Sequence, residues 1–132
     1  DLSASTSARI LLGKVSASDC DIEASTSGSV SVQQLKVSGK ADVHVSTSAS
    51  AKIGLLQGGQ FKAEANTSGS VTVNGGSVDK VDFKANTSGT VNAVAMKAET
   101  GKAEANTGSQ VKCNIAHPTS ISSNTGGRVK NN

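Results

Sequence analysis

Aromatic side chains are almost absent from this chain of 132 residues, which contains two Phe, no Trp and no Tyr. Most of its hydrophobic residues, 35% of the total, are the small residues Ala and Val. Such a chain fills a wide globular core poorly, but it can fill a narrow one in which small side chains stack. The lack of Trp and Tyr also removes the usual surface for stacking on sugars.

Long apolar runs are absent as well. No stretch approaches the roughly 20 apolar residues of a membrane-spanning helix, so we expect no membrane span in this segment. Ser, Thr, Asn and Gly are abundant, as they are in disordered chains. However, Val, Ile and Leu recur in strict alternation with polar residues, and the net charge is only +3. The pattern therefore favours folded β-structure over disorder.

Clusters of one charge sign are not visible along the sequence. The 13 Lys and Arg residues are spread along the chain and interleaved with 10 Asp and Glu residues. Nucleic-acid-binding domains carry clustered basic patches, and those that bind single strands add aromatic stacking platforms. The sequence has neither, so it predicts no nucleic-acid partner.

One short motif recurs about every twenty residues. The spacings between its central threonines are 20, 21, 20, 20, 20 and 18 residues, and a fixed period of this size is typical of solenoids. Leucine-rich repeats have a similar period, but they need a dense Leu frame that is missing here. The seven copies are ASTSARI (4–10), ASTSGSV (24–30), VSTSASA (45–51), ANTSGSV (65–71), ANTSGTV (85–91), ANTGSQV (105–111) and SNTGGRV (123–129).

The residues before each motif alternate between apolar and charged, which is the pattern of a strand with one buried face. Before the second copy, Cys20, Ile22 and Ala24 alternate with Asp21 and Glu23, and the next four copies keep this parity. The inward pairs of a second strand, after the motif, are Ile10/Leu12, Val30/Val32, Ala51/Ile53, Val71/Val73, Val91/Ala93 and Val111/Cys113. Those of a shorter third strand are Val15/Ala17, Leu35/Val37 and Met96/Ala98. We therefore predict an all-β, single-stranded, right-handed β-helix of about seven turns, with three short strands per turn.

Identical repeat positions stack as ladders when turns pair in register, about 4.8 Å apart. The motif then forms a corner, and counting in twos from its flanking Ala and Val predicts that Thr points inward while its Asn and Ser neighbours point outward. We interpret the corner as structural, with side chains that satisfy backbone groups the bend leaves unpaired, rather than as a ligand site. The threonine ladder comprises Thr6, Thr26, Thr47, Thr67, Thr87, Thr107 and Thr125.

Two outward ladders carry most of the charge. One reads Ser3, Glu23, His44, Glu64, Lys84, Glu104, Ser122, and the other reads Asp21, Asp42, Lys62, Asp82, Lys102, Ser120. Opposite charges across a ladder stabilise the pairing, so this alternation predicts a solvated, register-setting surface. A site for a polyanion or a sugar would instead collect one sign of charge or several aromatic side chains.

Asp21 beneath Asp42 breaks the alternation, and Glu23 and His44 sit beside that pair. These four residues form the candidate polar cluster of this chain. Three carboxylates and a single His on a flat sheet are usually plain surface. One His without a shaped cavity also makes a poor metal site, so we predict no metal and no cofactor here.

Catalytic constellations are not recognisable. No Ser lies in a motif with a nearby His and Asp, and the long loops that carry active sites on β-helix enzymes are missing, so we expect no enzyme. Cys20 and Cys113 both fall at inward positions but about four turns apart, roughly 19 Å at the stacking distance. A disulfide requires Cα atoms within about 7 Å, so the sequence predicts two free, buried, inert thiols.

The repeated Ser25-Thr26-Ser27-Gly28-Ser29-Val30 segment and its copies, preceded by D-I-E, K-A-E or D-F-K, resemble a family over essentially the whole chain. This is the autotransporter adhesin, head GIN domain family, a bacterial envelope family common in Bacteroidetes. Thr stands here where the family more often has Gly, and Ser or Thr where it often has Asp. The resemblance implies an exported β-helix, at the cell surface or in the periplasm, with an adhesive role and no transferable functional residues.

Three functions compete at this point. The first is a non-enzymatic adhesin or structural head or stalk module, whose partner would be a glycan or protein on a host or cell surface. The second is ice binding, motivated by the regular Ser/Thr/Asn ladders, although each turn offers only one Thr. The third is a carbohydrate-binding or carbohydrate-active β-helix, which the lack of Trp and Tyr disfavours.

The two ends of the stack differ in polarity. We expect residues 1–132 to be one β-helix domain, the C-terminal part of a longer one, because the family usually carries further N-terminal turns. Residues 118–132 are polar and contain Pro118, which predicts a cap turn. The first turn, with Ile10, Leu11 and Leu12, lacks such a cap and is predicted to stack on preceding sequence or to self-associate with another copy.

Overall fold

The computed structural model describes residues 1–132 and contains no helix, with about 70% of the residues in strands. No segment could therefore cross a membrane as a helix. The strands are β1 (Leu2–Ser5), β2 (Arg9–Ala17), β3 (Cys20–Ser25), β4 (Ser29–Val37), β5 (Lys40–Val45), β6 (Ser50–Ala65), β7 (Ser70–Val73), β8 (Gly76–Ala85), β9 (Thr90–Asn92), β10 (Lys97–Ala105), β11 (Gln110–Cys113), β12 (Ile115–Ser123) and β13 (Arg128–Asn131).

All strand pairs are parallel and join equivalent positions of successive coils, so the chain winds into a β-solenoid of about six turns. This confirms the predicted all-β solenoid, and the seven motif copies bound those turns. Right-handed coiling stays a prediction, based on the chirality of parallel crossover connections. Several strands bend around a corner without a break, and β6 runs through three sides of the coil in sixteen residues.

Three flat faces result from this winding, and we name them by their strands. Face A is built from β1, β3, β5, the last six residues of β6, β8 and β10, and residues 117–123 of β12. Face B comprises residues 9–12, 29–32, 50–53, 70–73, 90–92, 110–113 and 128–131. Face C comprises residues 14–17, 34–37, 55–58, 76–79, 97–99 and 115–116.

The interior between the faces is one continuous apolar core of 33 buried residues, filled mostly by Ala and Val. The predicted inward pairs are buried in every turn but the first, where Ile10, Leu12 and Val15 are half-buried. Phe61 and Phe83, in adjacent turns, meet edge to face with ring centroids 5.8 Å apart and are each 1% exposed. The only large side chains with aromatic faces are therefore inside the coil.

The corner between faces A and B is a tight turn repeated seven times. In each copy the first two turn-forming residues, such as Thr67 and Ser68, have positive φ values, here 48° and 67°. The amide of Gly69 donates to the carbonyl of Asn66 at 2.9 Å, which closes the turn. Two consecutive positive φ values and this hydrogen bond are the features of a type I′ turn.

Backbone groups of the corner also bond from one turn of the coil to the next. The Ser68 amide donates to the Thr87 carbonyl at 3.1 Å, and the Ser88 amide donates to the Thr107 carbonyl at 3.0 Å. The residue that closes each turn approaches the preceding coil closely. A Cβ at Gly89 would lie 2.3 Å from the Ala65 carbonyl oxygen, so glycine favours the observed backbone spacing there.

The predicted inward orientation of the threonines is wrong. All seven are exposed, and their side chains lie outside the coil. Counting in twos assumes an extended backbone, whereas the chain switches to positive φ at each Thr and the parity of the side chains is lost. The interpretation that the Thr side chains pair with the free backbone groups of the bend is also wrong. Those backbone groups form hydrogen bonds with other backbone groups of the same and adjacent coils.

Thr is a poor residue for a positive φ because its branched Cβ crowds the backbone, at roughly 1–2 kcal/mol. We expect Thr87→Asn to raise the free energy of unfolding by about 1 kcal/mol, since Asn tolerates this conformation. Chemical denaturation measures the change.

The matched control is Thr90→Asn, three residues further on and within β9. There the same substitution should be neutral or slightly destabilising, because Thr suits a strand better than Asn does. Equal destabilisation by both substitutions would contradict the left-handed corner.

Candidate functional site

Face A carries the two charged ladders in the predicted register. Glu23 pairs with His44, His44 with Glu64, Glu64 with Lys84 and Lys84 with Glu104. The neighbouring ladder runs from Asp21 to Ser120 through the pairs predicted for it, with Asp21 directly opposite Asp42. Opposite charges on adjacent strands attract across most of these pairs, the pair of Asp21 and Asp42 excepted, so face A stabilises the register of the stack.

The candidate polar cluster is brought together by β3 and β5. Asp21, Glu23, Asp42 and His44 line one open depression on face A, beside residues of the first turn. Two of the four, however, face partners outside the cluster. His44 Nδ1 lies 3.6 Å from Glu64 Oε2, and Asp42 Oδ1 lies 3.4 Å from Lys40 Nζ.

Asp42 Oδ1 is shielded from solvent and accepts no hydrogen bond. Lys40 Nζ at 3.4 Å is close enough for an ion pair but lies outside hydrogen-bonding geometry. No three His, Cys, Asp or Glu side chains converge as they would around a metal ion, here or elsewhere in the chain. The depression therefore offers charge but no ligand set.

The corner threonines form an exposed row of hydroxyl groups along the edge between faces A and B. An exposed Ser follows Thr in the first five copies, at positions 7, 27, 48, 68 and 88, while Gly108 and Gly126 take its place in the last two. The Thr hydroxyls make no hydrogen bond within the chain. The row is therefore solvated and lies on tight turns rather than on a flat strand.

An asparagine ladder lies just inside this row in the later turns, and its side-chain amides bond to one another instead of to the backbone groups of the bend. Asn86 Nδ2 donates to Asn66 Oδ1 at 2.8 Å, and Asn106 Nδ2 donates to Asn86 Oδ1 at 2.9 Å. Asn124 continues the series with a 3.0 Å bond to Asn106. The signal was present as one residue type at one repeat position in four successive turns, since stacked amides can bond to one another.

Two amides of the ladder also bond to carboxylates of face A. Asn66 Nδ2 donates to Glu64 Oε1 at 2.9 Å, and Asn106 Nδ2 donates to Glu104 Oε1 at 2.6 Å. The bond from Asn66 lowers the pKa of Glu64 below its usual value, and the nearby side chains of His44, Lys84 and Lys62 act in the same direction against the effect of burial. These bonds fix the edge of face A against the corner.

Both cysteines are free and buried, as predicted. Burial raises the pKa of the Cys113 thiol to about 11 and also raises that of Cys20. Because the thiolate is the reactive form, these thiols are poor nucleophiles near neutral pH. Cys113 Sγ lies 3.7 Å from the Lys130 carbonyl oxygen and from Asn131 Oδ1.

Face B differs from face A in the sign of its charge. Its outward positions form two ladders, Arg9-Ser29-Ser50-Ser70-Thr90-Gln110-Arg128 and Leu11-Ser31-Lys52-Thr72-Asn92-Lys112-Lys130. Five of these side chains are cationic, eight carry hydroxyl or amide groups, and none is acidic. Leu11 is the exception, an apolar side chain that is 70% exposed.

Folding thus sorts charges that alternate along the sequence. Acidic and basic residues are mixed in chain order, but the twenty-residue period places every Asp and Glu outside face B. The lack of a basic run in the sequence is therefore compatible with a folded chain that presents a face with cations and no carboxylates. Aligning the repeats by face, instead of scanning for basic runs, would have found the asymmetry.

Comparison with known protein families identifies one match. The family described as "Putative auto-transporter adhesin, head GIN domain" matches residues 21–132 of the chain. No curated protein and no solved structure matches it.

The hydrogen bond to Glu64 predicts a pH dependence of stability. A carboxylate whose pKa is lowered in the folded state stabilises the fold at pH values above its unfolded-state pKa, about 4.3 for Glu. This stabilisation is lost as the pH falls through the folded-state pKa. Between about pH 6 and about pH 3, the wild-type chain should therefore lose more unfolding free energy than Glu64→Gln. Urea denaturation at each pH measures the difference.

Glu99→Gln serves as the control, because the exposed carboxylate of Glu99 on face C lies 3.6 Å from His117 Nε2 and forms no bond to the asparagine ladder. That variant should keep the wild-type loss on acidification. A Glu64→Gln variant that loses as much stability as the wild type would show that the Asn66 contact does not bias this carboxylate.

Proposed function

The chain belongs to the auto-transporter adhesin, head GIN domain family, and we propose on that basis that it is a non-enzymatic exported module that adheres at the cell surface. Its partner would be a glycan or a protein on another surface. The family match carries the proposal, and the geometry supports it: six rigid turns present flat, solvated faces whose side chains stand in fixed rows. Regular rows of this kind suit contact with an extended surface, because the backbone already sets the spacing of the contacting residues before binding.

Two features of the site support binding over catalysis. Two of the four side chains of the candidate cluster are paired with neighbours outside it, His44 with Glu64 and Asp42 with Lys40. The titratable groups whose pKa is clearly shifted are two buried thiols and Glu64, which bonds to a structural amide. An active site would instead place perturbed groups within reach of one another.

The alternatives fit these features less well. Ice binding regains one argument, since the threonines point outward, but they lie on tight corners and not on a flat strand. Sugar recognition by aromatic stacking finds no platform, because both Phe side chains are buried. The proposal also includes self-association through the first turn, as a second mode of contact, because the apolar side chains of that turn are only half-buried.

An adhesion assay tests the proposal. Beads coated with the folded chain should be retained on cell or extracellular-matrix surfaces in a saturable way, and free chain should compete for retention. The control beads carry albumin. Retention no greater than that of the control beads, on every surface tried, would contradict adhesion and leave a structural stalk as the role of the module.

A further inference from the structure

Face B is a one-signed surface on a protein whose other faces mix their charges. Its cations gather toward one end, where Lys112 lies directly opposite Lys130, and Arg128 pairs across the sheet with the neutral Gln110. Like charges directly opposite on adjacent strands destabilise the pairing by about 0.2–1 kcal/mol. Face A avoids this arrangement over most of its length by alternating signs, so the arrangement at Lys112 and Lys130 does not serve the fold.

The cations of face B are also free of partners. None of Arg9, Lys52, Lys112, Arg128 and Lys130 lies in an ion pair, whereas the ion pairs of the chain involve residues of face A and its borders. All five are exposed. They therefore keep their full capacity to bind an external anion, and a bound anion would relieve the repulsion between Lys112 and Lys130.

The dimensions of the surface limit what can lie along it. Two outward residues per strand give a strip about 7 Å wide, and the six coil spacings between Arg9 and Arg128 give a length of about 29 Å. Ser, Thr, Asn and Gln side chains occupy the positions between the cations, and they can both donate and accept hydrogen bonds. The strip matches a single extended polymer that carries anionic groups and many hydroxyl groups.

We propose that face B docks an anionic polysaccharide, a chain of sugars that bears sulfate, phosphate or carboxylate groups. The inference rests on the proposed adhesive function and names the chemical class of its partner. Charge complementarity carries it, with hydroxyl and amide ladders contacting the sugar hydroxyls. Single-stranded nucleic acid fits less well, because proteins that bind it stack its bases on aromatic side chains and face B has none.

Binding to dextran sulfate, compared with uncharged dextran of the same length, tests the proposal with a defined probe. The full chain should bind dextran sulfate and not dextran, and the affinity should fall steeply as NaCl is raised. Combined Lys112→Ser, Arg128→Ser and Lys130→Ser substitutions should weaken binding about tenfold or more, since they remove the cationic end of the strip. They introduce the hydroxyl side chains that face B already carries in other turns.

The matched control removes the same charge from another face. Lys14, Lys36 and Lys97 are exposed on face C and lie in no ion pair, so their combined replacement by Ser should change the affinity less than about twofold. Circular dichroism and thermal unfolding establish that both triple variants fold. Equal losses in the two variants would overturn the proposal in favour of a net-charge effect.

Two further arms separate this inference from the adhesive function. Binding of duplex DNA as tight as that of dextran sulfate, and equally sensitive to the face B substitutions, would overturn the assignment to a polysaccharide. If coated beads adhere to cells and the face B variant adheres equally well, adhesion stands and this inference fails. If the chain binds dextran sulfate through face B and no surface retains it, the anionic site stands and adhesion fails.

Discussion

Parallel backbone hydrogen bonding between successive coils is the interaction on which the rest of this structure depends. Side chains alone could not hold the fold, because the core consists mainly of Ala and Val and contains only two aromatic rings. The backbone forms 100 hydrogen bonds to itself, and those at the corners run between coils as well as within each turn. An in-register stack of this kind repeats every environment about every 4.8 Å, so equivalent positions of the repeat are buried or exposed alike.

That constraint explains which features the sequence could predict. Period-2 alternation placed Ile22, Val43 and Phe83 in the core and set Asp21 opposite Asp42, because extended strands obey the parity on which the count depends. The two free, buried thiols followed from the same frame. Local patterns suffice wherever the backbone is extended and its neighbours in space are simply the previous and next repeat.

The sequence-based predictions were wrong where the backbone is not extended. At Thr67 and Ser68 the backbone has positive φ, which a sequence of β-branched and polar residues does not announce, and the threonines therefore point outward. The bonds between Asn66, Asn86 and Asn106 needed the exact geometry of the corner. The candidate cluster was placed correctly in register, but the pairing of His44 with Glu64 and of Asp42 with Lys40 depends on side-chain conformations that the repeat does not set.

The same stack gives the module two chemically different surfaces from one interleaved charge pattern. The polar side chains of face A pair with one another, as His44 does with Glu64, and this pairing supports the register of the stacked strands. The cations of face B form no ion pairs. The sheet tolerates the repulsion between Lys112 and Lys130 because backbone hydrogen bonds hold its strands together. A surface that adheres can thus vary its outward residues while the coil beneath it stays the same.

The separation of residues along one ladder tests this account most directly. Pairs of spin labels at Ser29 and Gln110, at Ser29 and Arg128, and at Arg9 and Arg128 lie four, five and six coils apart on face B. Pulsed electron paramagnetic resonance should give narrow distance distributions that increase by about 5 Å per coil, from about 19 Å to about 29 Å. Distances that do not increase in this order would contradict the in-register stack, and with it the sorting of charges into faces.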